Sequence, residues 1–450
     1  MRRKIISIIL ILILVFSNTA FTAANINVFI DGNKRMFENP LLIERGIALA
    51  PLISCFEDLG AQVSYNKRIK TIYVTKDTTK IRLQVGSSYG FINGKRKKLS
   101  SKPRLINKNL YISLKVVDEL LETQSSFDAL TKIVSIQTKK IESNKINLID
   151  SQKYELRQVF RFINYGDEAN IELKVLMGAI SNSPYQNDEN IIINPQPDEV
   201  FFDDYGNKYA KIKINNVKSK QEIQVETLKT LTNSGVKYSI NQNNLIKEHE
   251  ALYNVYTKPE KDIESDNNKI IQKAQELSKT INNPYDIAKK VFDFVNLYMT
   301  YDESSLYARK GAVNALNTGR GVCEDYSKLF VSLLRANNIP ARSSLGFWIQ
   351  EDQKLKLSYD TWQDITPFAH EWPEFYMKDY NWIICEPTFV YTLNGKKTVP
   401  INQFANQDSN GHIIYSYNSK EGDYISWRTE GYGELNIELE DSKTYIKKVR

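Results

Sequence analysis

Three residues in the second half of the chain have side chains suited to covalent catalysis, namely Cys323, His370 and Glu386. A cysteine thiolate is a nucleophile, but it needs a base that accepts and returns protons, and that base needs a third group that fixes its orientation. Because a cysteine, a histidine and a carboxylate follow one another in this order, we predict that Cys323 is a nucleophile, His370 its general base and Glu386 the orienting group.

The cysteine lies where a glycine-punctuated turn, Gly319–Gly321, leads into an apolar pattern with helical spacing. The pattern predicts a helix from Cys323 to about Ala336, with one buried face. The members of that face are Tyr326, Leu329, Phe330, Leu333 and Leu334. A thiol in a first helical turn lies near unpaired backbone N–H groups and the positive end of the helix dipole, which favours the thiolate. The alternative is a small buried core residue, which is the commoner role of a free cysteine.

The histidine and the glutamate lie on two neighbouring segments that read as a β-hairpin. Residues 370–376 alternate as a strand, and residues 381–388 read as the next antiparallel strand across a turn at 377–380. With that turn, His370 and Glu386 lie roughly opposite each other on one face of the hairpin, within hydrogen-bond reach. The alternative is that His370 is a structural residue of the strand.

Four sequence blocks in this region carry a family resemblance. The blocks are Gly321-Val-Cys-Glu-Asp-Tyr326, Ile339-Pro-Ala-Arg342, His370-Glu-Trp-Pro-Glu-Phe-Tyr376 and Trp382-x-x-x-Glu-Pro-Thr388. Together they make residues 270–390 resemble the transglutaminase-like core, whose superfamily includes transglutaminases, peptide N-glycanases and bacterial cysteine peptidase-like proteins. The resemblance implies a papain-like α+β catalytic domain and acyl transfer through a thioester.

The resemblance also implies roles for the three residues: its nucleophile, base and carboxylate fall on Cys323, His370 and Glu386. One departure is that the superfamily usually has aspartate where Glu386 stands. Glutamate is one methylene longer, so we expect its carboxylate still to reach the imidazole at Nδ1, but with less restriction of its rotamers. The sequence therefore leaves two readings open: an active Cys-His-Glu enzyme, or an inactive surface scaffold that keeps the fold. It does not choose between an amine and water as the acyl acceptor.

The first part of the chain contains an internal repeat. Phe29-Ile-Asp-Gly32 recurs 62 residues later as Phe91-Ile-Asn-Gly94, and Leu52 recurs as Leu114. Each copy reads as a β-hairpin, a short helix and a strand pair. Ala48-Leu-Ala-Pro-Leu52, Leu59-Gly-Ala-Gln-Val63 and Ile92-Asn-Gly94 make this part resemble the copper amine oxidase N-terminal domain. The resemblance implies a stalk or attachment module without copper, and the segment contains no histidine.

The remaining segments are organised around the predicted catalytic domain. Residues 145–258 alternate with period 2 and predict an antiparallel β-sandwich, immunoglobulin-like in outline. From Glu264 the pattern becomes helical, with a helix at 266–277 and a second helix that Asn283-Pro284 opens, and a short segment at 312–316 leads into the Gly319 turn. Two segments near the C-terminus, 413–417 and 435–439, read as strands that close the catalytic sheet or cap its groove.

Composition narrows the class of protein further. The 450 residues are 42% hydrophobic and 25% charged, which is typical of a globular protein. The net charge of +7 is too small to indicate nucleic-acid binding. The three cysteines are too few for a disulfide framework, so we expect Cys55 and Cys385 to be structural residues. The histidines are scattered, which argues against a metal site, and His249 and His412 read as surface or linker residues. The chain begins with the basic segment 1–4, the apolar run 5–16 and the small and polar residues 17–24. This pattern predicts a secretory signal peptide at 1–24, with an uncleaved membrane anchor as the alternative.

Taken together, the sequence predicts an α+β protein that is secreted or attached to the cell surface. The predicted parts are the signal peptide (1–24), the duplicated stalk-like domain (26–140), the sandwich (145–258), the catalytic domain (264–400) and a C-terminal β extension (401–450). We expect peptide, protein or cell-wall amides as substrates, attachment through the N-terminal domain, and no cofactor or metal. The sequence does not indicate an oligomeric state.

Overall fold

A computed structural model describes most of the chain, and two compact units divide near residues 138–145. The described residues are 26–30, 33–44, 47–128, 133–138, 145–240, 255–304, 306–350, 355–377, 380–393, 396–399, 403–418 and 424–450. The structure is β-rich, with 19% of residues in helices, which confirms the predicted α+β class. The predicted signal peptide, His249 and residues 378–379 of the predicted turn lie outside the described residues.

The first unit is built from short strands and two short helices. Its strands are β1 (Asn27–Ile30), β2 (Asn33–Arg35), β3 (Leu42–Glu44), β4 (Ile47–Pro51), β5 (Gln62–Asn66), β6 (Thr71–Lys76), β7 (Thr79–Gln84), β8 (Tyr89–Ile92), β9 (Lys95–Lys98), β10 (Arg104–Ile106), β11 (Asn109–Ser113), β12 (Gln124–Asp128) and β13 (Ile133–Gln137). The helices α1 (Leu52–Asp58) and α2 (Leu114–Leu121) begin with the same separation as the sequence repeats. Both helices bury one face in a common core that also holds Cys55.

The second unit begins with long antiparallel strands that form a sandwich. They are β14 (Ile146–Asn164), β15 (Ala169–Ala179), β16 (Gln186–Asn194), β17 (Glu199–Phe202), β18 (Asn207–Val217) and β19 (Glu222–Tyr238). One sheet contains β16, β19 and β14, and the other contains β17, β18 and β15. Alternating side chains such as Phe160, Phe162, Leu173 and Val225 fill the core between the two sheets.

A helical layer follows the sandwich. It consists of α3 (Asn268–Ser278), α4 (Pro284–Tyr298), α5 (Gly311–Thr318) and α6 (Cys323–Ala336), with the short strands β20 (Thr300–Tyr301) and β21 (Arg320–Gly321) before and after α5. Asn283 caps α4 by accepting a hydrogen bond from the backbone of Tyr285, as the Asn-Pro pair predicts. The predicted buried face of α6 is confirmed, because all five of its members are at most 1% exposed. No helix of the described chain is long and apolar enough to cross a membrane.

The helical layer packs on a four-stranded sheet ordered β25-β24-β22-β29. The remaining strands are β22 (Ala341–Trp348), β23 (Gln363–Asp364), β24 (Ala369–Met377), β25 (Asn381–Ile384), β26 (Tyr391–Leu393), β27 (Lys396–Thr398), β28 (Asn406–Gln407), β29 (His412–Tyr417), β30 (Ile425–Gly431) and β31 (Ile437–Val449), and a 3-10 helix spans Thr366–Phe368. Helix α6 contacts β24, β22, α4 and α5 and therefore lies at the centre of this layer.

The C-terminal strands divide between the two parts of the second unit. Strand β29 pairs with β22, so the predicted segment 413–417 does close the catalytic sheet. In contrast, β31 pairs with β14 over almost its full length and β30 pairs with β15. The segment 435–439 thus joins the sandwich, and its expected place at the catalytic sheet is wrong.

Candidate active site

Cys323 is the first residue of α6 and is partly exposed. The two-residue strand β21 runs parallel to β20 and brings the chain to this point. Gly319 ends α5 with a φ of +64°, a left-handed conformation that glycine adopts without a steric penalty. At Gly321 the chain passes so close to Asp325 that an added Cβ would lie 2.5 Å from its Cβ. Glycines at both positions therefore allow the sharp approach that delivers the cysteine.

Asp325 anchors this approach from within the first turn of α6. Its side chain is fully buried, and Oδ2 accepts backbone hydrogen bonds from Val322 at 2.9 Å and Arg309 at 2.8 Å. Oδ1 accepts two more, from Lys310 at 2.8 Å and Gly311 at 3.1 Å. One carboxylate therefore ties the start of α6 to the segment before α5. The negative charge also lies at the helix N-terminus, where the helix dipole favours it.

His370 and Glu386 are brought together as the hairpin predicts, although the register differs. Strand β24 pairs with β25 so that Glu374 lies opposite Ile384, and this register extends to Trp372 opposite Glu386. His370 is thus diagonal to Glu386. The residue that lies opposite Glu386 is Trp372, two residues from the expected His370. The pair nevertheless forms, with His370 Nε2 and Glu386 Oε2 2.6 Å apart. The bond is made at Nε2, so the expected contact at Nδ1 is wrong.

Electrostatics favour an ionised pair. Burial opposes a charged imidazole, but the charge of Glu386 and hydrogen bonds to Cys323 and Glu386 outweigh it and raise the pKa of His370 to about 10. Burial alone would also favour a neutral Glu386, but His370 and His412 hold the pKa of its carboxyl well below its usual range. Cys323 also acts on the pKa of His370, so its thiol lies beside the imidazole and the structure brings all three predicted residues together.

The second oxygen of Glu386 is also occupied. Oε1 accepts hydrogen bonds from the backbone N–H of Thr388, at 2.9 Å, and from the Thr388 hydroxyl. The Glu-Pro-Thr block therefore has a local role, because the threonine two residues later fixes the carboxylate. The extra methylene of a glutamate suits this place, since the side chain has to span the diagonal to His370.

His412 was wrongly assigned to the surface. It is 2% exposed, and its Nε2 lies 3.2 Å from the same Glu386 Oε2 that His370 uses. Burial lowers the pKa of His412, and the charge of Glu386 only partly offsets this effect. Nothing in the sequence around His412 marks it, because its proximity depends on the long-range pairing of β29 with β22.

Aromatic rings surround both histidines. Trp348 lies 5.1 Å from the ring of His370 and is stacked at 4.8 Å on His412, and Trp372 meets His412 edge-on at 5.0 Å. Trp382 packs elsewhere, on Tyr256. The sequence alone assigns no role to any of these three tryptophans. Trp348 and Trp372 therefore each pack against both histidines.

Tyr301 is a further neighbour of the cysteine that sequence reasoning missed. It sits on the short strand β20, and its hydroxyl lies near the thiol and the backbone of Cys323, which both act on its pKa. Burial, followed by the charge of Cys323, raises the pKa of Tyr301 to about 12. The phenol therefore stays protonated at neutral pH and can donate a hydrogen bond beside the nucleophile.

His370, Glu386 and His412 also form a group that could hold a metal ion, because one ligand atom from each lies within 4.8 Å of the others. Two ligand atoms on one tetrahedral zinc ion, each about 2.0–2.1 Å from the metal, are about 3.3 Å apart. The 2.6 Å between His370 and Glu386 is too short for that geometry and fits a hydrogen bond. The observed arrangement is that of a proton-sharing group.

The other two cysteines are buried free thiols. Burial raises the pKa of Cys55 to about 12, and burial likewise raises the pKa of Cys385 well above its usual range. Neither environment favours a thiolate. Their predicted structural roles are confirmed by their places in the two hydrophobic cores.

Comparison with known proteins gives two domain matches. Residues 271–387 match the family model of the transglutaminase-like superfamily, and residues 29–136 match that of the copper amine oxidase N-terminal domain. Both resemblances inferred from the sequence are confirmed. The uncharacterized protein YebA of Bacillus subtilis (strain 168) is 28% identical over 126 residues, which make up 26% of this chain and 17% of that protein.

Solved structures with some similarity to this chain include a proposed protease and a periplasmic domain. A proposed cysteine protease from Cytophaga hutchinsonii is 17% identical, with a TM-score of 0.44, over 68% of this chain and 93% of that chain. The periplasmic domain of TgpA from Pseudomonas aeruginosa is 13% identical, with a TM-score of 0.26, over 53% of this chain and 87% of that chain.

Proposed function

Because residues 271–387 form a transglutaminase-like domain, we propose that the protein is a cysteine acyltransferase or peptidase that works through a thioester on Cys323. His370 is the proposed base and Glu386 the proposed orienting carboxylate. The observation that carries the proposal is the 2.6 Å contact between His370 and Glu386, with Cys323 near enough to His370 to raise the pKa of its imidazole.

In the proposed first step, His370 accepts the thiol proton of Cys323, and the two side chains become an ion pair. At neutral pH the raised pKa of His370 keeps the imidazole protonated, which is the form that pairs with a thiolate. The Cys323 sulfur attacks the carbonyl carbon of an amide, and the negative charge moves to the carbonyl oxygen. The backbone N–H of Cys323 and the hydroxyl of Tyr301 are the proposed donors to that oxygen.

The tetrahedral intermediate then collapses. The carbon–nitrogen bond breaks, His370 delivers its proton to the leaving amine, and the acyl group remains on Cys323 as a thioester. In the second half, His370 removes a proton from the incoming water or amine. That nucleophile attacks the thioester and releases the Cys323 thiolate, so the site returns to its starting state. Glu386 remains ionised throughout and stabilises the imidazolium.

The proposed substrates are peptide, protein or cell-wall amides, in line with the superfamily match. The proposed location is outside the membrane, either secreted or at the cell surface, with the domain at residues 29–136 as the attachment module. Water as the acceptor gives hydrolysis or deamidation, and an amine gives crosslinking.

The experiment is to incubate the protein with glutamine-containing peptides and with cell-wall fragments, each with and without dansylcadaverine as a primary amine. Release of ammonia or of new amino termini measures hydrolysis, and fluorescence in the acyl product measures transamidation. We expect at least one of these products, and we expect Cys323→Ala to abolish it while Cys385→Ala, if it folds, retains it. Absence of every product across both substrate sets would favour the inactive scaffold.

A further inference from the structure

We propose that His412 is a positioning residue for this site: its Nε2 donates a hydrogen bond to Glu386 Oε2 and so fixes the carboxylate that His370 uses. This inference rests on the proposed function. It adds a second histidine to the Cys-His-Glu group, at the same carboxylate oxygen that His370 uses. The two Nε2 atoms lie 2.6 Å and 3.2 Å from that oxygen.

The backbone of His412 is held firmly. His412 begins β29, where it pairs with Trp348 of β22. Its carbonyl accepts a hydrogen bond of 2.8 Å from Asn233, and the same amide also donates to the carbonyl of Asn410 at 2.7 Å. Because Asn233 belongs to β19, the sandwich fixes the start of β29. A side chain that starts from this point can act as a rigid support.

The ring of His412 has little freedom to turn. Trp348 stacks on it at an interplanar angle of 21°, and Trp372 meets it at 74°. The side chain is 3% exposed, so water does not compete for its nitrogens. Packing on two sides therefore holds Nε2 towards Glu386.

The hydrogen-bond inventory selects one tautomer. A neutral imidazole carries one N–H, and an ionised carboxylate can only accept. The proton on His412 therefore lies on Nε2, which leaves Nδ1 as a bare acceptor. Nδ1 is indeed buried without a hydrogen-bond partner in the structure. A buried acceptor without a partner is tolerated more often than a buried donor.

This support answers the extra freedom of the glutamate. A glutamate has one more rotatable bond than the aspartate usual at this place. The two hydrogen bonds from Thr388 hold only Oε1, so the other carboxylate oxygen needs its own support. In this structure, Thr388 holds Oε1 and His412 holds Oε2 together with His370. Without His412, the carboxylate can rotate away from His370, and the imidazolium loses its partner.

The test compares His412→Phe, which keeps a flat ring but removes the donor, with His412→Gln, whose amide nitrogen can take the place of Nε2. The measurement is the rate of iodoacetamide alkylation of Cys323 from pH 4 to 10, followed by mass spectrometry of the Cys323 peptide. A hydrogen bond to a charged group corresponds to about 10- to 100-fold in rate. We expect that loss near neutral pH in His412→Phe, and a rate in His412→Gln within about threefold of the wild type.

A double-mutant cycle separates positioning from packing. In a Glu386→Ala background, His412→Phe should have no further effect on alkylation, because the group that it positions is gone. If His412→Phe does not fold, as judged by near-UV circular dichroism, His412→Asn replaces it, since its shorter amide does not reach Glu386.

The outcomes are distinguishable. If Cys323 of the wild type reacts faster than a free thiol and its pH profile is the same in His412→Phe, this inference is overturned and the proposed function is not. An equal effect of His412→Phe with and without Glu386 also overturns it, since that result indicates packing. A wild-type profile identical to that of a free thiol contradicts the proposed function and, with it, this inference.

Discussion

Replacement of Asp325 by asparagine should destabilise the second unit strongly, because four backbone N–H groups converge on this one buried carboxylate. Asparagine keeps one acceptor oxygen and replaces the other with an NH₂ donor. Two backbone N–H groups, for example those of Arg309 and Val322, then face a donor.

The size of the effect follows from the burial of those groups. Each buried donor left without a partner costs about 1–3 kcal/mol, so two give about 2–6 kcal/mol. We expect a loss of about 4 kcal/mol in the free energy of unfolding. Because a domain typically has about 5–15 kcal/mol in total, this loss is large. We also expect slower alkylation of Cys323, since the same contacts deliver the cysteine.

The assay is urea unfolding followed by tryptophan fluorescence. All five tryptophans lie in the second unit, so the signal reports on the unit that contains the site. The matched control is Asp293→Asn, the same change in a part-exposed ion pair with Lys289 on α4, which should cost no more than about 0.5 kcal/mol. Equal unfolding midpoints and slopes for the two variants would refute the reasoning.

Three further expectations concern the His–Glu group. Glu386→Gln should lower the rate of acyl transfer by at least about tenfold, because it removes a charge-assisted hydrogen bond to His370. Steady-state kinetics of the variant and the wild type test this, and an unchanged kcat would contradict it. The pKa of His370 is raised to about 10, so its contribution to stability is complete below about pH 6.5 and is lost as pH rises through 10. The pKa of Glu386 is lowered, so its contribution is present above about pH 4.5 and is lost in acid. The midpoint of urea unfolding should decrease in both acid and alkali, and the decrease in alkali should be smaller in His370→Gln. Treatment with EDTA should leave activity unchanged, because the 2.6 Å contact fits a hydrogen bond; loss of activity that zinc restores would mean a metal site at His370, Glu386 and His412.

The parts of the site that local sequence patterns encode were predicted well. The bounds of α6 match the prediction, because glycines before Cys323 and a helical apolar pattern after it are local signals. The pairing of β24 with β25 was also predicted from alternation across a short turn. The predicted register differs from the observed one by two residues, because alternation fixes the face of a strand but not which residues lie opposite each other.

The residues that the sequence missed depend on distant chain segments. His412 reaches Glu386 only because β29 pairs with β22, and Tyr301 reaches Cys323 only because β20 pairs with β21. Neither pairing leaves a periodic signal near the residue concerned. The same reason explains β31, whose partner β14 lies almost 300 residues earlier in the chain.

The most direct test of the central claim is detection of the thioester on Cys323. The protein is mixed with a peptide or wall fragment that it turns over, quenched in acid, and digested for mass spectrometry. We predict that the Cys323 peptide gains the mass of the acyl group, that hydroxylamine removes this mass, and that peptides with Cys55 and Cys385 remain unmodified. Turnover without any such adduct in a rapid-quench series, or turnover that persists in Cys323→Ala, would contradict the account.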